Sequence, residues 1–336
     1  MFHAFEGHTA EEVYDGILST FRTPGQIGFQ PSRAGDTQEL LHATISIADP
    51  RQRWLASRTP ALNPAFAIAE AIWILRGRND SRFLTFFNSE LPKFAGVGPT
   101  FYGAYGHRLR RNLGIDQLER AFHALKNNPE SRQVVLQIWD AEQDFPDEAG
   151  APKAEDIPCN LLSMLKVRDG ALEWTQVIRS NDVYRGLPYN LVQFTTLQEV
   201  MAGWLGLKLG SYNQLSDSLH VYARDLKAVV SSAGVQAQAN EDNLSLPKAE
   251  SDRVFAAMEK HVETLINNER GSAAPTEIVK RRDLPQPYRN MICVLSAEAA
   301  RRARLATVAT EIMAECSNPV FCQLFERWCK RFKKAG

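Results

Sequence analysis

PCNLLSMLKVRDGALEWTQVIRSNDVYRGLPYN, residues 158–190, is the stretch whose reading decides the fold. Residues 161–167 and 171–178 are strand-like runs joined by Arg168, Asp169 and Gly170, and Asp-Gly between hydrophobic runs is a strong hairpin signal. Such a hairpin brings Cys159, at its open end, beside Arg179 and Ser180. A thiol attacks as its thiolate, which a neighbouring guanidinium favours, and an arginine next to a hydroxyl also suits a phosphate. For an isolated cysteine and arginine the plain alternative is a buried structural thiol and a solvated charge.

The wider pattern narrows this choice. Pro158-Cys159-Asn160, followed by Arg179-Ser180-Asn181-Asp182-Val183-Tyr184-Arg185-Gly186-Leu187-Pro188-Tyr189-Asn190, resembles thymidylate synthase and its relatives, the pyrimidine nucleotide hydroxymethylases. Their nucleophile segment reads Pro-Cys-His and their second segment Arg-Ser-x-Asp-x-x-x-Gly-x-Pro-Phe-Asn. The resemblance covers about residues 30–225. It implies an α/β fold with a large mixed sheet flanked by helices and a homodimer formed through the back of that sheet. Residues 1–240 are then the catalytic domain, and 241–336 a divergent helical extension packed on it. Strands expected over 133–139, 161–167 and 171–178 alternate with long helices, which is compatible with that fold.

Composition excludes several classes. The chain has 39 basic and 39 acidic residues, a balance that gives no electrostatic footprint for nucleic acid or an anionic membrane. Its amino-terminal MFHAFEGHTAEEVYDG has no basic segment followed by an apolar core, and no apolar run approaches the roughly 18 residues of a membrane span, so a cytoplasmic location is expected. The five cysteines form no Cys-x-x-Cys pair and the seven histidines are scattered, so neither a disulfide framework nor a metal site is expected.

Residues 9–21 read as an amphipathic helix with Thr9 and Glu12 as a capping box. Residues 63–77, NPAFAIAEAIWILRG, have a good N-cap, proline at the first helical position and glycine at the end. That helix is apolar nearly all round, and so buried. Glu70 lies in its middle, where a carboxylate is costly and its pKa rises; it is either a proton-transfer group or half of a structural ion pair. The resemblance selects the first role, because Glu70-Ala71-Ile72-Trp73 matches the family's catalytic His-Glu-Leu-Leu-Trp segment. Residues 140–156 read as an exposed insertion, and helices are expected over 116–128, 191–205, 248–268, 297–316 and 319–332.

The same resemblance implies further roles. Arg33, in the loop 31–37, Arg179 and Ser180 would hold a 5'-phosphate together with Arg132 donated by the partner protomer; Gln133 replaces the family's second arginine there. Tyr105 takes the active-site tyrosine position, with Tyr102 as a competitor one repeat earlier. His220 and Tyr222 match the ribose-binding segment, whose aspartate is displaced by one residue, to Asp217. Asp182 and Gly186 fall where the family binds 5,10-methylenetetrahydrofolate, the cosubstrate. Asn190 is either a helix cap or a donor-acceptor pair for a pyrimidine edge, and an amide matches uracil where the cytosine-specific relatives carry aspartate. The implied reaction is conversion of dUMP to dTMP through a Cys159 adduct at C6. Two departures, Asn160 beside the nucleophile and the lack of the usual apolar tail, point to hydroxymethylation as the alternative. A third reading is a nucleotide-binding protein without catalysis, against which stands the presence of both Cys159 and Glu70.

Overall fold

The computed structural model describes all residues except 1, 24, 26, 33, 34, 232, 233, 269–272 and 334–336. Eight strands form one mixed sheet: β1 (His3–Gly7), β2 (Phe29–Gln30), β3 (Thr37–Ile47), β4 (Val135–Gln137), β5 (Asn160–Arg168), β6 (Ala171–Ile178), β7 (Asn181–Asp182) and β8 (Lys208–Tyr222). Their order is β1-β3-β8-β6-β5-β4, with β2 added to β3 and β7 to β8. β5 and β6 form the expected hairpin, with Arg168 opposite Ala171. Asp169 and Gly170 have φ of 50° and 72°, the left-handed values that a two-residue turn needs to match the twist of its strands.

Period-two alternation gives the sheet two unlike faces. Ala43, Ile45 and Ile47 of β3, Leu172, Trp174 and Ile178 of β6, and Leu165 and Val167 of β5 are buried. Residues between them, such as Thr44, Ser46, Thr175, Val177 and Leu215, stay half-exposed on the other face. Helices Ala10–Arg22 and Leu187–Leu205 cover the buried side, and Pro64–Leu75 packs on Leu187–Leu205. Asn63 caps the Pro64–Leu75 helix, its side-chain oxygen accepting from Phe66 N at 3.1 Å. The Leu187–Leu205 helix begins at Leu187, earlier than expected, because Pro188 fits the first turn. Asn190 is therefore inside the helix, and its side chain bonds to other side chains in place of capping.

After β8 come helices Lys248–Asn267, Gln286–Arg302, Ala306–Ala314 and Pro319–Lys333. The helix expected over 297–316 is divided in two, with Arg304 at a φ of 64° between them. These helices share the core of the preceding region: Phe321 stands edge-on to Trp54 at 5.2 Å, and Tyr288 donates to Leu244 O at 2.6 Å. Glu259 binds both Arg76 and Arg78 at 2.7 Å. No described helix is long and apolar enough to cross a membrane.

The segment 140–156 is mostly exposed, as expected, and is pinned at two carboxylates. Asp144 is 2% exposed and forms a two-pronged ion pair with Arg108, at 2.6 and 2.9 Å, and Asp156 accepts from Gly103 N at 2.8 Å.

Candidate active site

The hairpin sets the first part of the site. Arg179 N donates to Cys159 O at 2.9 Å, which joins the open ends of β5 and β6. The Arg179 side chain donates to Pro158 O at 2.9 Å and Ile157 O at 3.2 Å and lies 5.5 Å from the Trp139 ring. Its charge is thus fixed along the backbone that carries Cys159. Cys159 and Ser180 are half-buried.

Glu70 and Tyr105 come to the same place from two other elements. Burial pushes the Glu70 carboxyl up to about 7, and nearby Asp156 adds to the shift, while a hydrogen bond with Gln193 opposes it. Its Oε2 is sealed from solvent without a partner. The Tyr105 hydroxyl is pushed above the ordinary phenol range by burial first, then by Cys159, with Asp156 and Glu70 adding to it; Asn160 bonds to it and opposes the shift. Tyr102, by contrast, is 38% exposed and donates to Gln143 O at 2.7 Å, so of the two tyrosines it is Tyr105 that joins Cys159. Gly106 allows this approach: a Cβ there would lie 2.3 Å from Ile74 O, so only glycine lets the Tyr105 backbone touch the Glu70 helix.

A line of buried amides leads to Asn190. Trp174 Nε1 and Ser163 Oγ donate to Gln176 Oε1 at 3.3 and 2.6 Å, and Gln176 Nε2 donates to Asn160 Oδ1 at 3.0 Å. Asn160 Nδ2 donates to Asn190 Oδ1 at 3.4 Å, Asn190 Nδ2 to Asn181 Oδ1 at 3.2 Å, and Asn181 Nδ2 to Ser216 Oγ at 3.1 Å. An indole N–H can only donate, so Trp174 fixes which end of Gln176 faces it, and each amide in turn fixes the next. Asn190 is left with one N–H and one oxygen lone pair for a ligand.

Asp182 Oδ1 accepts from Tyr184 N at 2.7 Å and Arg185 N at 3.1 Å, while Gly186 N donates to Asp182 O at 3.0 Å. His220 and Tyr222 stand edge-on at 5.2 Å, and β7 aligns Asp182 with His220. Burial lifts the Asp182 carboxyl, which His220 partly opposes. Arg132 is exposed and precedes Val135, whose partner on β5 is Met164. It therefore sits at the far end of β5, roughly 25 Å along the strand from Cys159, and does not reach this site within one protomer. Arg33 lies outside the described residues.

Sequence reasoning missed Asp156, Gln176, Asn181, Gln193 and Ser216. One signal was available: Gln214, Ser216, Ser218 and His220 alternate along β8, an unusual run of polar groups on what is otherwise the buried face. Asp156 and Gln193 had no local signal, since what they meet lies on distant elements.

A family model described as "Thymidylate synthase" matches residues 43–267, which extends past residue 225, where the resemblance was expected to fade. The chain is 35% identical over 239 residues to the deoxyuridylate hydroxymethyltransferase of Bacillus phage SP01, covering 68% of this chain and 61% of that protein. With the deoxyuridylate hydroxymethyltransferase of Pseudomonas phage M6 it shares 36% over 190 residues, 56% of this chain and 53% of that one. With the thymidylate synthase of Corynebacterium aurimucosum the figure is 30% over 191 residues, 55% of this chain and 68% of that one. The chain thus spans less than two thirds of the length of either phage protein.

Proposed function

The chain belongs to the thymidylate synthase family, and from that premise we propose that it transfers a one-carbon unit from a folate to C5 of deoxyuridylate and completes the reaction with water, giving a hydroxymethyl product. The observation that carries this reading is the convergence of Cys159, Tyr105 and Glu70 beside an Asn190 whose amide is held in one orientation.

C5 of uracil is a poor nucleophile. When the Cys159 thiolate forms a bond to C6, the electron pair of the C5–C6 double bond moves toward C5 and O4, and one hard step becomes two easier ones. The spare N–H of Asn190 donates to O4 and its spare lone pair accepts from N3–H. Glu70, with its pKa near 7, can hold or release a proton toward O4 through a water. Tyr105 would take the C5 proton, and Arg179, Ser180 and Arg33, with Arg132 of the partner protomer, would hold the phosphate. The half-exposed sheet face around Thr44, Ser46, Thr175 and Leu215 serves as the dimer contact.

The chemistry fits a folate. Asp182 Oδ1 is committed to two backbone donors, while Oδ2 makes no hydrogen bond among the described residues and can accept from a pterin N–H. When bound, 5,10-methylenetetrahydrofolate supplies the carbon to be transferred.

Water as the last reactant is supported by Asn160, which stands where the synthases carry histidine and is committed to the amide line. The names of the phage relatives agree. Hydride as the last reactant, giving dTMP, is the second reading, favoured by the likeness to thymidylate synthases.

Incubation with 5-fluoro-dUMP and methylenetetrahydrofolate tests the chemistry. A covalent adduct seen by mass and lost in Cys159→Ala is expected; none at saturating ligand would leave only a nucleotide-binding protein. Turnover of dUMP then separates the readings, because dihydrofolate accompanies methylation and not hydroxymethylation.

A further inference from the structure

We propose that Glu39 is a positioning residue for the sugar end of this pocket: through Ser218 it fixes His220 in the tautomer whose Nε2 accepts a hydrogen bond from a sugar hydroxyl. The identity of the ligand rests on the nucleotide reading above; the device itself does not.

The register of β3 against β8 places Glu39 opposite His220, on the same face as Ser216, Ser218 and Tyr222. Ser218 Oγ donates to Glu39 Oε1, and Gln30 Nε2, from β2, donates to Glu39 Oε2. A carboxylate has no proton to give, so both contacts are incoming and the single proton of Ser218 is committed. Toward His220 Nδ1, 3.4 Å away, Ser218 Oγ can then only accept. The proton of the neutral ring therefore sits on Nδ1, and Nε2 carries the lone pair. Burial keeps the ring neutral by lowering its pKa, although Asp182 and Glu39 pull the other way. Nε2 makes no hydrogen bond to a described residue, so its lone pair is available to a ligand.

The arrangement also explains the displaced aspartate. Asp217 points to the opposite face of β8, where it pairs with His42 Nδ1 at 2.8 Å on the exposed side of the sheet. Glu39, from a different strand, supplies the carboxylate that β8 does not present to the pocket. Because Gln30 holds the other oxygen, the same carboxylate anchors the strand that enters the loop 31–37.

The test has two arms, both on the full chain. In ligand-free protein labelled with 15N-histidine, with the His220 signals assigned by their loss in His220→Asn, the Nδ1–H tautomer is expected. In Glu39→Gln the amide can donate to Ser218, which frees the serine proton for Nδ1 and moves the ring toward the Nε2–H form; Ser218→Ala gives a mixture. In the second arm, dUMP and 2',3'-dideoxyuridine monophosphate are compared by calorimetry. The native chain should prefer dUMP by roughly tenfold, as one neutral hydrogen bond provides. Both variants should lose that preference while still binding the dideoxy compound. An Nε2–H ring in the native chain, or a tautomer and preference unchanged in both variants, overturns the proposal. Should neither nucleotide bind the native chain, the nucleotide reading fails, and the NMR arm still decides the role of Glu39.

Discussion

Asn160 Nδ2 donates to Asn190 Oδ1 at 3.4 Å, across 30 residues of chain, and both side chains are buried. The direction of that bond is inherited from Trp174, a donor that cannot reverse. Turning Asn190 over, as a cytosine edge would require, would set its NH2 against that of Asn160 and its oxygen against that of Asn181.

Asn160→Leu should therefore strand Gln176 Nε2 and release Asn190. The expected result is a loss of about 1–3 kcal/mol in stability, the cost of an unsatisfied buried donor. Turnover of dUMP should fall by roughly tenfold or more, and its advantage over dCMP should shrink. Urea unfolding and the ratio of kcat/KM values for the two nucleotides check this.

Glu70 makes stability depend on pH in a definite direction. Its carboxyl is raised from 4.5 to about 7, so between those values the folded chain holds more proton than the unfolded chain. The contribution of this group is greatest below pH 4.5, declines as pH rises to about 7, and is level above that. In Glu70→Gln that decline should vanish, leaving the variant ~3 kcal/mol more stable relative to the native chain at pH 8 than at pH 4.5. Its kcat should fall by about 10²–10⁴-fold, as for loss of a general acid-base group. Urea midpoints across pH, with activity measured alongside, test both.

Gly106→Ala forces a Cβ to within 2.3 Å of Ile74 O, a backbone atom that cannot step aside. A stability loss of about 3 kcal/mol is expected from the strain. Activity should drop in the protein that remains folded, because Tyr105 moves away from Cys159. Adduct formation with 5-fluoro-dUMP, measured per folded molecule, separates the two effects.

Glu199, fully buried in the Leu187–Leu205 helix, binds Arg53 and also Arg51 Nε at 2.9 Å and accepts from Leu244 N at 3.0 Å. Burial alone would raise its pKa, but the two arginines and the backbone donor hold it below the usual range. Its stabilisation is therefore present above the unfolded carboxylate pKa and is lost as pH falls through the lower folded value. Glu199→Gln should cost about 3–5 kcal/mol at pH 7, since Arg53 is left buried and uncompensated, and the penalty should narrow in acid. Thermal melts at pH 7 and pH 3 give the comparison.

Legibility differed by kind of residue. The hairpin, the capped helix from Asn63 and the burial of that helix around Glu70 could all be read from neighbouring residues, because turn chemistry, capping and periodicity act within a few positions. Asp156 and Gln193 could not, since each matters only through a group that the fold brings from elsewhere. The anchor of the exposed segment 140–156 was hidden for the same reason: nothing near Asp144 announces that Arg108 will meet it.

Local order in the sequence thus determined that Cys159 would lie beside Arg179, that Glu70 would sit in a buried helix, and that Asn190 would follow Pro188 at a helix start. Only the tertiary structure decided that Tyr105 and not Tyr102 would face the thiol, how Asn190 would be oriented, and that Glu39 would stand over His220. The physical reason is distance along the chain: hydrogen bonds within a turn are set by adjacent residues, whereas those between strands and helices exist only once the sheet has fixed its register.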